Sequence, residues 1–245
     1  MNDDKTEFIF CGHRTQLKKC HSSFLSVGDA KIDRATSIKY LGVVIDAELN
    51  FKSHIQQKCK LASLNLRNIK SIRKHLSVDS CKTLIQALVI SHLDYSNTIL
   101  CDLPESTLKP AQLVQNHAAR VILGPKKHDS ATSALRDLHW LPIRQRCKFK
   151  LLLMVFKCLH DTAPSYLSNL LVIQKKSARI TRSSSDTGIK LIVPKTTRAT
   201  FARRSFSVAG PHHWNKLPSE LRECNNIDSC RKKLKTQLFN EYFNK

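Results

Sequence analysis

The spacing of apolar residues changes near residue 50. Before that point they come in short runs: Phe8–Phe10 ending near Gly12, Phe24–Val27 closed by Gly28-Asp29, and Tyr40–Asp46, which is rich in β-branched residues. Short apolar runs bounded by turn residues predict strands. After residue 50 the period lengthens. Ile55, Cys59, Ala62, Leu66, Ile69, Ile72 and Leu76 recur at steps of three or four, which predicts one amphipathic helix. A second stripe runs beside the first, formed by Lys60, Ser63, Arg67, Lys70 and Lys74. One helix face is therefore apolar and a neighbouring face basic.

The same logic extends downstream. Ser77 or Asp79 can cap a second helix, with Cys81, Leu84, Leu88 and the run to Leu93 as its buried face. A third helix is predicted from about Leu108 to Leu123, with Pro110 near its start and Gly124-Pro125 as its stop. Ser130 can cap a short helix carrying Leu135 and Leu138, and Pro142 opens a long helix reaching Leu159. Arg144, Arg146, Lys148 and Lys150 lie along the flank of that long helix. Asp161–Pro164 breaks it, and Tyr166–Val172 reads as another short helix. Residues 174–190 are polar and basic and suggest a linker. Ile189–Val193 can form a strand, Ser207–Pro218 reads as an aromatic and proline turn, and Asp228 can cap a last helix burying Leu234 and Leu238. The expected fold is mainly α with a small β portion. Its divisions are 1–50, a helical bundle at 51–173, the linker at 174–190 and a basic region at 191–245.

Charge narrows the function classes. The chain carries 41 Lys+Arg against 19 Asp+Glu, a formal charge of +22. Such an excess favours polyanionic partners, because neutralised phosphates release condensed counterions. Residues 171–245 hold 16 Lys+Arg and 5 Asp+Glu, a net of +11. The longest apolar run, Leu151–Phe156, is far short of the roughly 20 residues that cross a bilayer. The amino terminus lacks a signal-like apolar core, so an intracellular place, nucleus or cytoplasm, is expected. Nine cysteines lie at irregular positions with no CxxC pair, and several fall on apolar helix faces, where Cys acts as a small hydrophobe. Cys224 and Cys230 with His212 and His213 are too loosely spaced to predict zinc. No metal or cofactor is expected.

Several ordered segments resemble one family. Asn2-Asp3-Asp4-Lys5-Thr6-Glu7, followed by Phe8-Ile9-Phe10, resembles the LNxxKTE segment just beyond the catalytic FADD loop of LINE-type (non-LTR) retrotransposon reverse transcriptases. Lys39–Asp46, with Leu49 and His54-Ile55, is similar to the primer-grip hairpin that leads into the family's thumb. Ile90–Asn97 resembles SRLDYCN, Val114–Arg120 resembles VQNxAAR, and Leu138–Ile143 resembles LHWLPV. Ala163–Leu167 resembles APxYL, and Arg204–Pro211 with Trp214–Pro218 resembles RAFSxxxPxLWNxLP. The resemblance covers almost the whole chain.

It implies a palm edge at 1–50, a thumb-like bundle, and Tyr40, Leu41, Gly42 and Val43 at a primer-grip-like position. The family's metal-binding carboxylates lie in an apolar-Ala-Asp-Asp turn and an earlier strand, and neither pattern occurs here. Asp3-Asp4 is not that pair, since it sits inside the LNxxKT segment with no strand before it. Two-metal phosphoryl transfer needs those carboxylates, so the chain alone is expected not to be an enzyme. Met1 stands where relatives carry an apolar residue, as an internal codon of a longer element would. Lys5 would lie near a triphosphate in an intact polymerase and reads here as a strand-edge lysine. His139 and Trp140 could contact nucleic acid, but a Trp between leucines before a proline reads as a core plug. His212-His213-Trp214 reads as a structural turn rather than a metal or stacking site.

The expectation is a polymerase remnant that keeps sequence-independent binding to RNA or an RNA–DNA duplex. Lys60, Arg67, Lys70, Lys74, Arg144, Arg146, Lys148, Arg203 and Arg204 are the candidate contacts. The alternative is a co-opted helical module with a protein partner.

Overall fold

The computed structural model describes residues 6–20, 22–28, 30–124, 130–174, 188–196 and 202–244. Lys5, Asp3-Asp4, Pro125 and most of the expected linker lie outside the described residues. After α1 (Arg14–Leu17) come two antiparallel hairpins. The first joins β1 (Phe24–Val27) to β2 (Ala30–Asp33), with Val27 opposite Ala30. The second joins β3 (Ser37–Tyr40) to β4 (Val43–Asp46), with Tyr40 opposite Val43. Residues 40–46 therefore form a hairpin end rather than a single strand. Leu41 and Gly42 take φ of 46° and 77°, which turns the chain between them. Phe8 makes only an isolated parallel bridge to Arg34.

The helical part is built on α2 (Lys52–Ser71), whose buried side is His54, Ile55, Cys59, Ala62, Leu66 and Ile69. The apolar stripe predicted a helix through Leu76, but α2 ends at Ser71. A 3-10 turn, Arg73–His75, follows it, and Ile72 is exposed. Arg73 explains the stop. Its guanidinium donates to the carbonyls of Val121 and Ile122 at 2.8 and 2.9 Å and to Leu76 at 2.8 Å. It satisfies carbonyls at the end of another helix that have no partner of their own.

The second helix begins at α3 (Val78–Ile85), where the Ser77 hydroxyl accepts from the Ser80 amide at 3.0 Å. It passes through a π turn, Gln86–Ile90, into α4 (Ser91–Asp94). A π turn carries an extra residue and rotates the faces beyond it. Cys81 and Ile85 are buried before the turn, and Val89, Ile90 and Leu93 are buried within and beyond it. Leu84 is only partly buried and Leu88 is exposed, so the two leucines expected on the buried face do not lie at its centre.

α5 (Glu105–Leu123) starts a turn earlier than its apolar pattern suggests and takes Pro110 into its interior. It packs on α2 and on α6 (Ala131–Asp137), which is capped by Ser130. α7 (Ile143–Leu159) opens just after Pro142 and divides two apolar clusters. Ile143, Cys147 and Leu151 join the core with α2 and α5, which also holds Trp140. Leu152, Val155 and Phe156 join a second core with Leu191, Trp214, Leu217, Leu234 and Leu238.

The short helix α8 (Ser165–Ser168) leads to a bridge between Ile173 and Leu191. Here the Gln174 amide donates to Lys190 and the Ile192 amide to Val172, at 2.9 and 2.8 Å. The two ends of the 174–190 segment thus lie side by side. Ser207–Pro218, read as a turn, is largely the helix α9 (Phe206–Trp214), with Pro211 inside it. α10 (Ser219–Arg222) and α11 (Ile227–Phe243) finish the chain. Asn226, not Asp228, caps α11. The fold is mainly α with a small β portion, and no helix among the described residues is long and apolar enough to cross a membrane.

Candidate nucleic-acid interface

From Leu49 to Val78 the sequence holds seven Lys or Arg and no Asp or Glu. Burial of Ile55, Cys59, Ala62, Leu66 and Ile69 fixes the roll of α2. That roll leaves Lys60, Arg67 and Lys70 exposed. Lys74 is also exposed but belongs to the 3-10 turn, so the four cations do not share one continuous helix. Lys60 to Lys70 covers ten residue steps, about 15 Å at 1.5 Å per residue.

The β3–β4 hairpin sits at the amino-terminal end of α2. The Tyr95 hydroxyl donates to the Leu41 carbonyl, and a methyl placed on Gly42 would lie 3.2 Å from that hydroxyl oxygen. Tyr95 thus holds the turn from below and requires a glycine there, in both space and φ. Tyr40 and Leu41 are 62% and 75% exposed, so the tip itself is open. Lys58 lies 4.1 Å from the centroid of the Tyr95 ring. Its pKa is pushed down by burial first and by the nearby Lys39 cation second. The carboxylate of Asp46 then organises the entry to α2. It accepts from the amides of Glu48, Asn50 and Phe51 at 3.1, 2.9 and 2.6 Å. Leu49 and Phe51 both sit at positive φ, 49° and 55°, in this tight passage.

The basic flank of α7 has protein partners. Arg146 makes a two-pronged pair with Asp94 at the end of α4, one contact being 2.7 Å. Lys148 reaches Glu241 on α11 at 3.0 Å, and Arg144 reaches Glu105 at 3.0 Å and the Leu103 carbonyl at 3.2 Å. Arg146 and Lys148 are mostly buried by these partners, whereas Arg144 stays about half exposed. These groups join α7 to its neighbours. Arg203 is exposed, while Arg204 donates to the Leu49 carbonyl at 2.9 Å and is half-buried. Burial lowers the Arg204 pKa.

Arg203 and Arg204 open onto a feature the sequence did not show. A cleft of about 870 Å³ lies between α1, the Asp102–Pro104 turn, residues 193–196 and α9. Its lining includes Arg14, Arg203, Arg204 and Lys216 against the acids Glu48 and Asp102. His213 Nε2 donates across it to the Asp102 carboxylate, at 2.9 and 2.8 Å from the two oxygens. Residues so far apart in sequence gave no local pattern to find. A second group left out of the expected contacts, Lys232, Lys233 and Lys235 on α11, is exposed, and its charge run was visible in the sequence. Trp140 and Trp214 are both buried, and the Trp214 indole donates to the Ile189 carbonyl at 3.0 Å. Comparison with protein-family models, curated proteins and solved structures finds no match to this chain.

Proposed function

We propose that the chain binds RNA or an RNA–DNA duplex through backbone phosphates, without reading sequence, and acts as a polymerase remnant that performs no nucleotide transfer by itself. One observation carries this reading. Thirty consecutive residues, 49–78, hold seven Lys or Arg and no carboxylate, and a rigid helix displays Lys60, Arg67 and Lys70 from that stretch to solvent. A solvated helix face ordinarily mixes both signs of charge. A face of one sign raises the local concentration of polyanions, and phosphate contacts position a ligand without specifying bases. A duplex presents several phosphates along the roughly 15 Å between Lys60 and Lys70. The resemblance to non-LTR reverse transcriptases supports the choice of nucleic acid, since their thumb follows a primer–template.

The test replaces Lys60, Arg67, Lys70 and Lys74 together with glutamine. Binding to duplexes of unrelated sequence should weaken by similar factors. The slope of log affinity against log salt should flatten by up to about 3–4 units if each cation meets one phosphate. An unchanged slope in a folded variant sinks the proposal for this face.

A second reading rests on exposed apolar groups. Leu61 and Leu64 on α2 and Leu88 are 46%, 51% and 44% exposed. The Asn65 amide donates to the Leu88 carbonyl at 2.8 Å, which brings these segments together. A co-opted protein-interaction module would use such a patch, and its binding would be nearly independent of salt.

A further inference from the structure

Outside the α2 face, the cleft beside α9 brings together three different metal-ligating side chains. One donor atom from each of Cys101, Asp102 and His213 lies within 4.8 Å of the others. Cys101 is buried, Asp102 is exposed and His213 is intermediate, so the group spans from the core to the open cleft. Asp102 adopts φ of 60°, an unusual conformation for a non-glycine residue, and in it the carboxylate meets His213 across 111 residues of sequence. His213 Nδ1 is buried with no hydrogen-bond partner. The Asp102 carboxylate can only accept, so in the metal-free protein Nε2 carries a proton, which would pass to Nδ1 when Nε2 ligates a metal.

We propose that Cys101, Asp102 and His213 form a zinc site with its fourth position open to the cleft. The donor set suits that ion: thiolate, imidazole and carboxylate bind zinc at about 2.3, 2.0–2.1 and 2.0–2.2 Å. Tetrahedral placement at those lengths separates ligand atoms by roughly 3.3–3.8 Å. The His213–Asp102 contacts of 2.8 and 2.9 Å would open by about half an ångström. The widest separation, at most 4.8 Å, would close by about one. Both changes lie within side-chain rotation.

One thiolate and one carboxylate balance the two charges of zinc, so the loaded group is neutral. Relative to the metal-free thiol and carboxylate, uptake adds one positive charge beside Arg14, Arg203, Arg204 and Lys216. On binding, the Cys101 thiol gives its proton to solvent and a Zn–S bond forms. In the absence of metal, burial foremost pushes that thiol well above its ordinary range, with Asp102 adding to it. Zinc uptake should therefore release a proton and strengthen as pH rises.

The experiment uses the full chain, stripped with a chelator and titrated with Co²⁺ and Zn²⁺. The wild type should take up one equivalent of either, and the cobalt form should show a thiolate-to-metal charge-transfer band. Cys101→Ser should abolish that band. Asp102→Asn and His213→Gln, both at partly or fully exposed positions, should weaken zinc tenfold or more. Zinc should raise the Tm of the wild type but not of His213→Gln. Seven other cysteines and the neighbouring Cys147 compete as adventitious ligands, so Cys224→Ser/Cys230→Ser serves as a control and should bind like the wild type. Absence of stoichiometric uptake overturns the site. So does uptake, or a charge-transfer band, that persists unchanged in Cys101→Ser and His213→Gln.

Discussion

His54 is only 1% exposed, and its Nδ1 accepts from the Val44 amide at 3.3 Å, tying the second hairpin to α2. Its Nε2 is buried without a partner. Burial, and secondarily the Lys58 cation one turn along α2, hold its pKa below the ordinary 6.5. The sign follows from proton counting. Between that lowered pKa and 6.5 the unfolded chain binds a proton that the folded chain refuses, so stability is full above about 6.5 and falls as pH drops through the window. His54→Leu should make the decline in Tm between pH 7.5 and 5 shallower. Some slope should remain, because burial and Lys216 also hold His212 low. The slope is the readout, since leucine removes both a paired acceptor and an unpaired donor, with opposite effects on the level. An identical slope in the variant would assign the pH response to other groups.

Other single residues show what sequence could not reveal. Arg146 and Lys148 looked like free cations, yet their acids, Asp94 and Glu241, stand 52 and 93 residues away. Gln115 is fully buried, donates to the Leu141 carbonyl at 2.9 Å and accepts from Gln112 at 3.0 Å. Gln112 in turn accepts from the Ile143 amide at 2.9 Å and so caps α7. Asn215 both donates to and accepts from Leu191, at 2.7 and 2.9 Å. Gln115, Asp94 and Asn215 all belong to the segments that carry the family resemblance. In this fold they make long-range polar links within the protein, which is reason enough for polar residues at a buried position, Gln115, and at two half-buried ones, Asp94 and Asn215.

At the scale of elements, helices with a clean apolar period were legible: α2, α5, α7 and α11 all occur where the stripes placed them. Their ends were not, because tertiary partners set them. Arg73 stops α2 by bonding to α5, and the π turn at Gln86–Ile90 re-aims a face that a 3.6 period misassigns. The hairpins were half legible. β2, with Ala30, Lys31 and Asp33 around Ile32, offers little apolar signal. These strands also depend on what lies beneath them. Three of the four residues of β1 are exposed and the fourth is half-buried. The β3–β4 hairpin relies on Tyr95 and His54, and the passage after it on Arg204, all from outside residues 1–50. A two-stranded hairpin alone is marginal in water. A peptide of residues 1–50 should therefore give narrow, poorly dispersed amide NMR signals, whereas sharp dispersed signals would show that it folds unaided.

At the scale of the whole molecule, the decisive element is α7. One side of it faces α2 and α5, and the other faces α9 and α11 through Leu152, Val155 and Phe156, all 0–2% exposed. The sequence suggested a boundary at 174–190 from its polar, basic texture. Composition, however, cannot show that Ile173 and Leu191 pair across it or that the two flanks share one helix. The cleft and the Cys101–Asp102–His213 group were hidden for the same reason, since each needs both flanks. Ending the chain at residue 174 would uncover three large apolar side chains of α7 and remove the acid that pairs with Lys148. Exposing a fully buried apolar side chain costs about 1.5–3 kcal/mol. Three of them therefore approach the whole stability of an ordinary domain, about 5–15 kcal/mol. The truncated chain should lose its cooperative thermal transition and bind a hydrophobic dye. If residues 191–245 instead form an appended unit, the 1–174 fragment will melt cooperatively within a few degrees of the full chain, and the basic carboxy-terminal region can then be treated as a separate binding arm.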